Sequence, residues 1–171
     1  MAALLLKPID APWGDYGRIL YHGMSMHESR QVDRIRLERT GPDIFPITFP
    51  MDVIVTDEFK MRFKASGLCG VEFRTVIKHR IVELDWSNWD TTEVEAPELP
   101  ESGEPEDYIL TRPHSPIAAA AMPELWELIL REDPSADIRY LPKTHVITVS
   151  VKAKEWFERN YGDYVFFQKI G

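Results

Sequence analysis

Few of the side chains able to do covalent or acid-base chemistry stand in an arrangement that would let them do it. The single cysteine, Cys69, lies in Gly67-Leu68-Cys69-Gly70. Its thiolate has the chemistry of a nucleophile, but no charged helper is adjacent, so it reads as a small buried or half-buried thiol just before a strand. The five histidines are scattered. His79, between Lys78 and Arg80, suits an anion site or the basic edge of a strand. His114 precedes a helix start, and His22 and His27 lack a metal-ligand spacing. Asp85 and Asp90, around Trp86 and Trp89, are the best placed carboxylates for general acid-base work. No GxSxG elbow, phosphate loop, dinucleotide fingerprint or HExxH helix is present. One cysteine excludes a multi-cysteine zinc site, and neither a metal nor a cofactor is expected.

Charge is more informative than catalytic chemistry. The 171 residues carry 28 acidic and 20 basic side chains, a formal charge of −8. Eight of those acids (Asp90, Glu93, Glu95, Glu98, Glu101, Glu104, Glu106 and Asp107) fall between 90 and 107, where no Lys or Arg occurs, so the rest of the chain is neutral. The tract is framed by Trp86-Ser87-Asn88-Trp89 and Tyr108-Ile109-Leu110. Carboxylates steer an encounter with a cationic cleft, and Trp and Tyr supply desolvated anchors. On this basis Glu101, Glu104, Glu106 and Asp107 are the expected pairing charges, with Trp86, Trp89 and Tyr108 at the base of the loop. A solubilising loop with no partner explains the acids equally well. The cluster Arg30, Arg34, Arg36 and Arg39 is balanced by Asp33, Glu38 and Asp43, and a nucleic-acid partner is not expected.

The elements that must position these residues are legible in part. Val53-Ile54-Val55 runs into Thr56, an N-cap, followed by Asp57 and Glu58 in a first helical turn where the helix dipole favours acids. Phe59, Met61 and Phe63 give that helix its buried side, and Gly67 is a left-handed stop. Val71 to Val76 alternates as a half-buried strand. The same grammar returns about 94 residues later: Val146 to Val149, Ser150 as N-cap, a helix with Ala153, Trp156, Phe157 and Asn160 or Tyr161 on one stripe, Gly162, and a closing strand from Tyr164 to Ile170. This is a duplication or a chance recurrence of a common strand-helix-strand motif. Arg18 to His22, Arg34 to Glu38 and Ile81 to Trp86 read as further strands, and Pro42, Pro46 and Pro50 hold their segment extended. From Ser115 a helical stretch is expected through Ala121 to Met122, Leu125, Trp126 and Ile129, kinked or broken at Pro123. The fold class is therefore α+β, with a mixed, largely antiparallel sheet and about three helices in one domain over 1–171. At 44% hydrophobic residues the chain can bury a single core. No apolar run is long enough to span a bilayer, the N-terminus has no signal-peptide pattern, and a cytoplasmic protein without a membrane partner is expected.

Two stretches carry a resemblance. Leu37 to Pro42 (LERTGP) and Val55 to Lys78 (VTDEFKMRFKASGLCGVEFRTVIK) resemble the core of bacterial immunity proteins of polymorphic toxin systems, whether Rhs-type, contact-dependent or type VI secreted. There a capped helix and a "GLxGxxFR"-type strand recur, here Gly67-Leu68-Cys69-Gly70-Val71-Glu72-Phe73-Arg74. One such family has paired CxxC motifs; this chain has none, so no metal site carries over. The resemblance implies a non-enzymatic protein that binds a cognate toxin domain, about 1:1, and occludes its active or substrate site. An ADP-ribosyltransferase or a nuclease is the implied toxin, since both present anion-binding sites. A hydrolase that reverses a toxin modification, using Asp85, Asp90 or His79, is the competing reading, and an adaptor without a toxin partner is another.

Overall fold

A computed structural model describes residues 4–8, 22–25, 35–38, 46–48, 53–76, 113–144 and 146–169. In chain order the elements are β1 (Leu4–Pro8), β2 (His22–Ser25), β3 (Ile35–Glu38), β4 (Ile47–Thr48), β5 (Ile54–Thr56), α1 (Asp57–Ala65), β6 (Val71–Thr75), α2 (Pro116–Ala121), β7 (Leu125–Leu130), β8 (Ile138–Tyr140), β9 (Ile147–Val149), α3 (Val151–Tyr161) and β10 (Val165–Lys169). Among the described residues two four-stranded sheets, ordered β4-β5-β7-β6 and β10-β1-β9-β8, accompany a β2-β3 ribbon, and every pairing is antiparallel. The chain is an α+β protein.

Each sheet is built on the same plan. β5 and β6 both pair with β7, so they run parallel to each other with β7 between them and α1 as their crossover. Likewise β9 and β10 both pair with β1, with α3 as the crossover. The halves align without a gap at a spacing of 94 residues: Thr56 on Ser150, Lys60 on Lys154, Phe63 on Phe157, Val71 on Val165, Phe73 on Phe167. Both N-caps are extended, with ψ of 162° at Thr56 and 164° at Ser150, and each hydroxyl accepts from the backbone N–H three residues on. In the first half the central strand β7 follows the unit in sequence; in the second it is supplied by β1, from the other end of the chain. Leu4 and Leu6 are accordingly buried in a central strand, a role the short run Ala2 to Leu6 did not announce.

The helices meet through their apolar stripes. The Phe59 ring lies 4.9 Å from Tyr161 and edge-on to Trp156 at 5.5 Å, and Phe63 is edge-on to Trp156 at 5.6 Å. Such contacts add to area burial because the positive ring edge meets the negative face. Tyr161, rather than Asn160, completes the α3 stripe. Met61 does not join the α1 stripe: it is 65% exposed, since two residues from Phe59 and Phe63 puts it about 160–200° around the helix.

The expected helix through Leu125, Trp126 and Ile129 is a strand. α2 stops at Ala121, two residues before Pro123, and β7 takes the central position of its sheet. Leu125, Glu127, Leu128 and Leu130 are all buried, on both faces, so the alternation that marks a half-exposed strand is missing and the spacing imitates a helix. Arg74 forks onto the carboxylate of Glu127 from the neighbouring strand, with Nε to Oε2 at 2.8 Å and Nη2 to Oε1 at 2.7 Å. The strands expected over 18–21 and 81–86 lie outside the described residues.

Candidate functional site

Trp86, Trp89, Glu101, Glu104, Glu106, Asp107 and Tyr108 lie outside the described residues, as do His79, Asp85 and Asp90. The described residues fix where their segment is anchored. Val76 N–H donates to the carbonyl of Leu125 at 3.2 Å, so the connection from 77 to 124 begins and ends beside one hydrogen-bonded pair. It is an insertion between two hydrogen-bonded neighbours, β6 and β7. That end of the sheet is braced: the Trp126 indole N–H donates to Asp57 Oδ1 at 2.9 Å, and Lys60 Nζ sits 2.8 Å from the centre of the Trp126 ring.

A second polar assembly joins the two halves. The Gly67-Leu68-Cys69-Gly70 turn has φ of +68° at Gly67 and +101° at Gly70, conformations glycine adopts without Cβ strain. It brings the Cys69 carbonyl to the N–H groups of Asp137 and Ile138, at 3.1 and 3.3 Å. A Cβ on Gly70 would stand 2.3 Å from the Ile138 carbonyl oxygen and 2.4 Å from Ala136 Cβ, so glycine is what permits this approach.

Asp137 is the hub. Its carboxylate accepts from Cys69 N–H at 3.1 Å, from the Cys69 thiol at 3.5 Å and from the Ser150 hydroxyl at 2.7 Å. Lys152 Nζ stands 3.9 Å away and donates to the Gly67 carbonyl at 2.8 Å. Burial pushes the Asp137 carboxyl up, but Ser150, both Cys69 donors and Lys152 outweigh it and hold the group below the usual carboxylate range. The assembly therefore links the N-cap of α3 to the turn after α1. Cys69 itself is exposed, not buried or half-buried, and its charged neighbour comes from 68 residues away, where adjacency in sequence gave no sign of it.

A groove of about 760 Å³ runs between α1 and β6, floored by Val71, Phe73 and Trp126 and walled by Lys60 and Lys64. Among the described residues no three His, Cys, Asp or Glu side chains converge as metal ligands, and no helix is long and apolar enough to cross a membrane. No family model matches the chain, nor does any curated protein or solved structure with which it was compared.

Proposed function

We propose that the protein is an immunity protein that binds a cognate antibacterial toxin, one to one, and neutralises it by covering its active or substrate-binding site. The observation that carries this reading is the segregation of charge: all of the net −8 resides in residues 90–107. A cationic toxin cleft, such as one that receives a nucleic acid or a dinucleotide phosphate, is complementary to that tract. Trp86, Trp89 and Tyr108 are the desolvated anchors, and Glu101, Glu104, Glu106 and Asp107 the paired charges. The closure of the flanking strands at Val76 and Leu125 supports the reading, because a segment anchored at both ends beside a braced sheet loses less entropy on docking than a free tail. The protein acts by binding in the cytoplasm, not by catalysis.

The test is co-expression with the toxin encoded beside the gene. A stoichiometric complex and restored growth are expected, and reversing the charge of Glu104 and Glu106 together should slow association and flatten its dependence on salt. Rescue by far less than one equivalent would instead favour an enzyme that undoes the toxin's modification. Unchanged association in the charge-reversed protein would remove the acidic segment from the interface.

A further inference from the structure

The groove between α1 and β6 has an open strand along one side. Among the described residues β6 is the last strand of its sheet, and the direction of its backbone groups follows from its neighbour. Leu128 N–H donates to the Val53 carbonyl at 2.8 Å, so Leu128 points its backbone away from β6. In an antiparallel pair N–H and C=O of one residue point the same way, so Phe73, opposite Leu128, and with it Val71 and Thr75, turn theirs to the free edge. No described residue hydrogen-bonds there. The side chains of Val71 and Phe73 form the groove floor, so the residues offering backbone pairing also offer the apolar contact.

The sister half decides the charge. At the positions corresponding to Lys60 and Lys64, α3 carries Lys154 and Glu158, which pair with each other. In α1 both positions are lysine, an unfavourable like-charged spacing on a helix face. Lys60 is occupied, 14% exposed, with Asp57 at 3.8 Å and the Trp126 ring against its Nζ. Lys64 is exposed and has the Phe73 ring at 5.9 Å. Glu72 borders the groove as a β6 residue, but alternation along the strand turns its carboxylate to the opposite sheet face, where it pairs with Arg131. Among the described residues no carboxylate pairs with Lys64 and no strand pairs with the outer side of β6, so the groove sets a cation beside an aromatic floor and a strand edge.

We infer that this groove docks an extended acidic-apolar segment of a partner protein, added to β6 as a further strand with a carboxylate on Lys64 and apolar side chains on Val71 and Phe73. The mode is strand addition: backbone bonds give the affinity and alternate side chains the choice of sequence. A second copy of this chain fits less well, because two-fold pairing about Phe73 would bring a second pair of α1 lysines against the first. The inference concerns described residues only and does not rest on the role proposed for 90–107.

The probe is a capped heptapeptide, Thr-Val-Thr-Glu-Thr-Val-Thr, titrated into isotope-labelled full-length protein, with a peptide carrying Lys in place of Glu as its control. Expected are shifts and slowed hydrogen exchange at the amides of Val71, Phe73 and Thr75, and at least tenfold weaker binding of the lysine peptide. Lys64→Glu, which copies the sister half, should weaken the acidic peptide at least tenfold. Thr75→Pro removes an outward N–H without touching the β6-β7 ladder and should weaken both peptides. Unchanged amides at millimolar peptide, or equal binding of the two peptides by protein whose amide spectrum shows it folded, overturns the inference. So does exchange protection of Phe73 in the free protein, whether from a second copy or from within the chain.

Discussion

The approach of Gly70 to Ile138 predicts a substitution whose effect can be divided. Gly70→Ala suffers two penalties. A φ of +101° is foreign to a residue with a Cβ, and such strain costs about 1–3 kcal/mol. The new methyl also falls 2.3 Å from the Ile138 oxygen and 2.4 Å from Ala136 Cβ, and overpacking of this kind costs roughly another 1–3 kcal/mol as the strands part. The sum, about 2–6 kcal/mol, is a large share of the roughly 5–15 kcal/mol that holds a domain folded. At about 2–4 °C per kcal/mol for a chain of this size, the melting temperature should fall by at least ~4 °C. Gly67→Ala is the internal control: its φ is +68° but nothing lies within 4 Å of the added carbon, so only the strain of about 1–2 kcal/mol applies. Any gain from a stiffer unfolded chain is shared by both variants and cancels in the comparison. Urea unfolding of the three proteins measures the difference, and Gly70→Ala should be the less stable variant by at least the overpacking cost of about 1–3 kcal/mol. If the two variants were equally stable, the contact between the halves at this turn would not contribute to the fold.

Other perturbations test other joints. The Tyr161 hydroxyl is buried and has no hydrogen-bond partner among the described residues, and burial raises the phenol to about 12. Tyr161→Phe should hold or raise stability by about 1 kcal/mol at neutral pH by deleting that unsatisfied group. Because the folded value is raised, the wild type should also lose stability as pH climbs from about 10 towards 12, and denaturant unfolding at alkaline pH should show this loss reduced in the variant. Asp137 is lowered in the folded state, so its contribution exists above the ordinary carboxylate value of about 3.9 and disappears as pH falls below it. Asp137→Asn should therefore be less stable than wild type between pH 5 and 7, with the gap narrowing under about pH 4 in parallel urea titrations. Deletion of 90–107 should shift the urea midpoint little, since Val76 and Leu125 still pair, while abolishing protection against the toxin; a protein that unfolds on deletion would show the segment to be structural.

The strand-helix-strand units were legible in the sequence, and so were their limits. Thr56 and Ser150 announce helix starts because a hydroxyl at an N-cap satisfies a donor the helix cannot. Phe59 and Phe63, like Ala153, Phe157 and Tyr161, declare a buried stripe, because a spacing of four returns them to one face. The charge segregation between 90 and 107 is likewise a property of composition and needs no coordinates. These are local signals, set within one helical turn or one run of residues.

Where the sequence misled, the deciding partner was remote. Leu125 to Leu130 is a strand because β5 and β6 hydrogen-bond to its two edges; burial on both faces then hides the alternation that would have marked it. Leu4 to Pro8 is a central strand because β9 and β10, some 140 to 165 residues on, leave a slot between them that it fills antiparallel to both. Cys69 acquires a carboxylate and Asp137 a hydroxyl, a thiol and an ammonium through the same closure of the two halves. The place of β6 at the end of its sheet among the described residues is likewise decided by strand order, since any strand's backbone can pair on both sides. The residues themselves set the caps, the stripes and the location of the acid; the tertiary structure set which strands are central and which charges meet, because hydrogen-bond ladders and ion pairs depend on distance in space and not on distance along the chain.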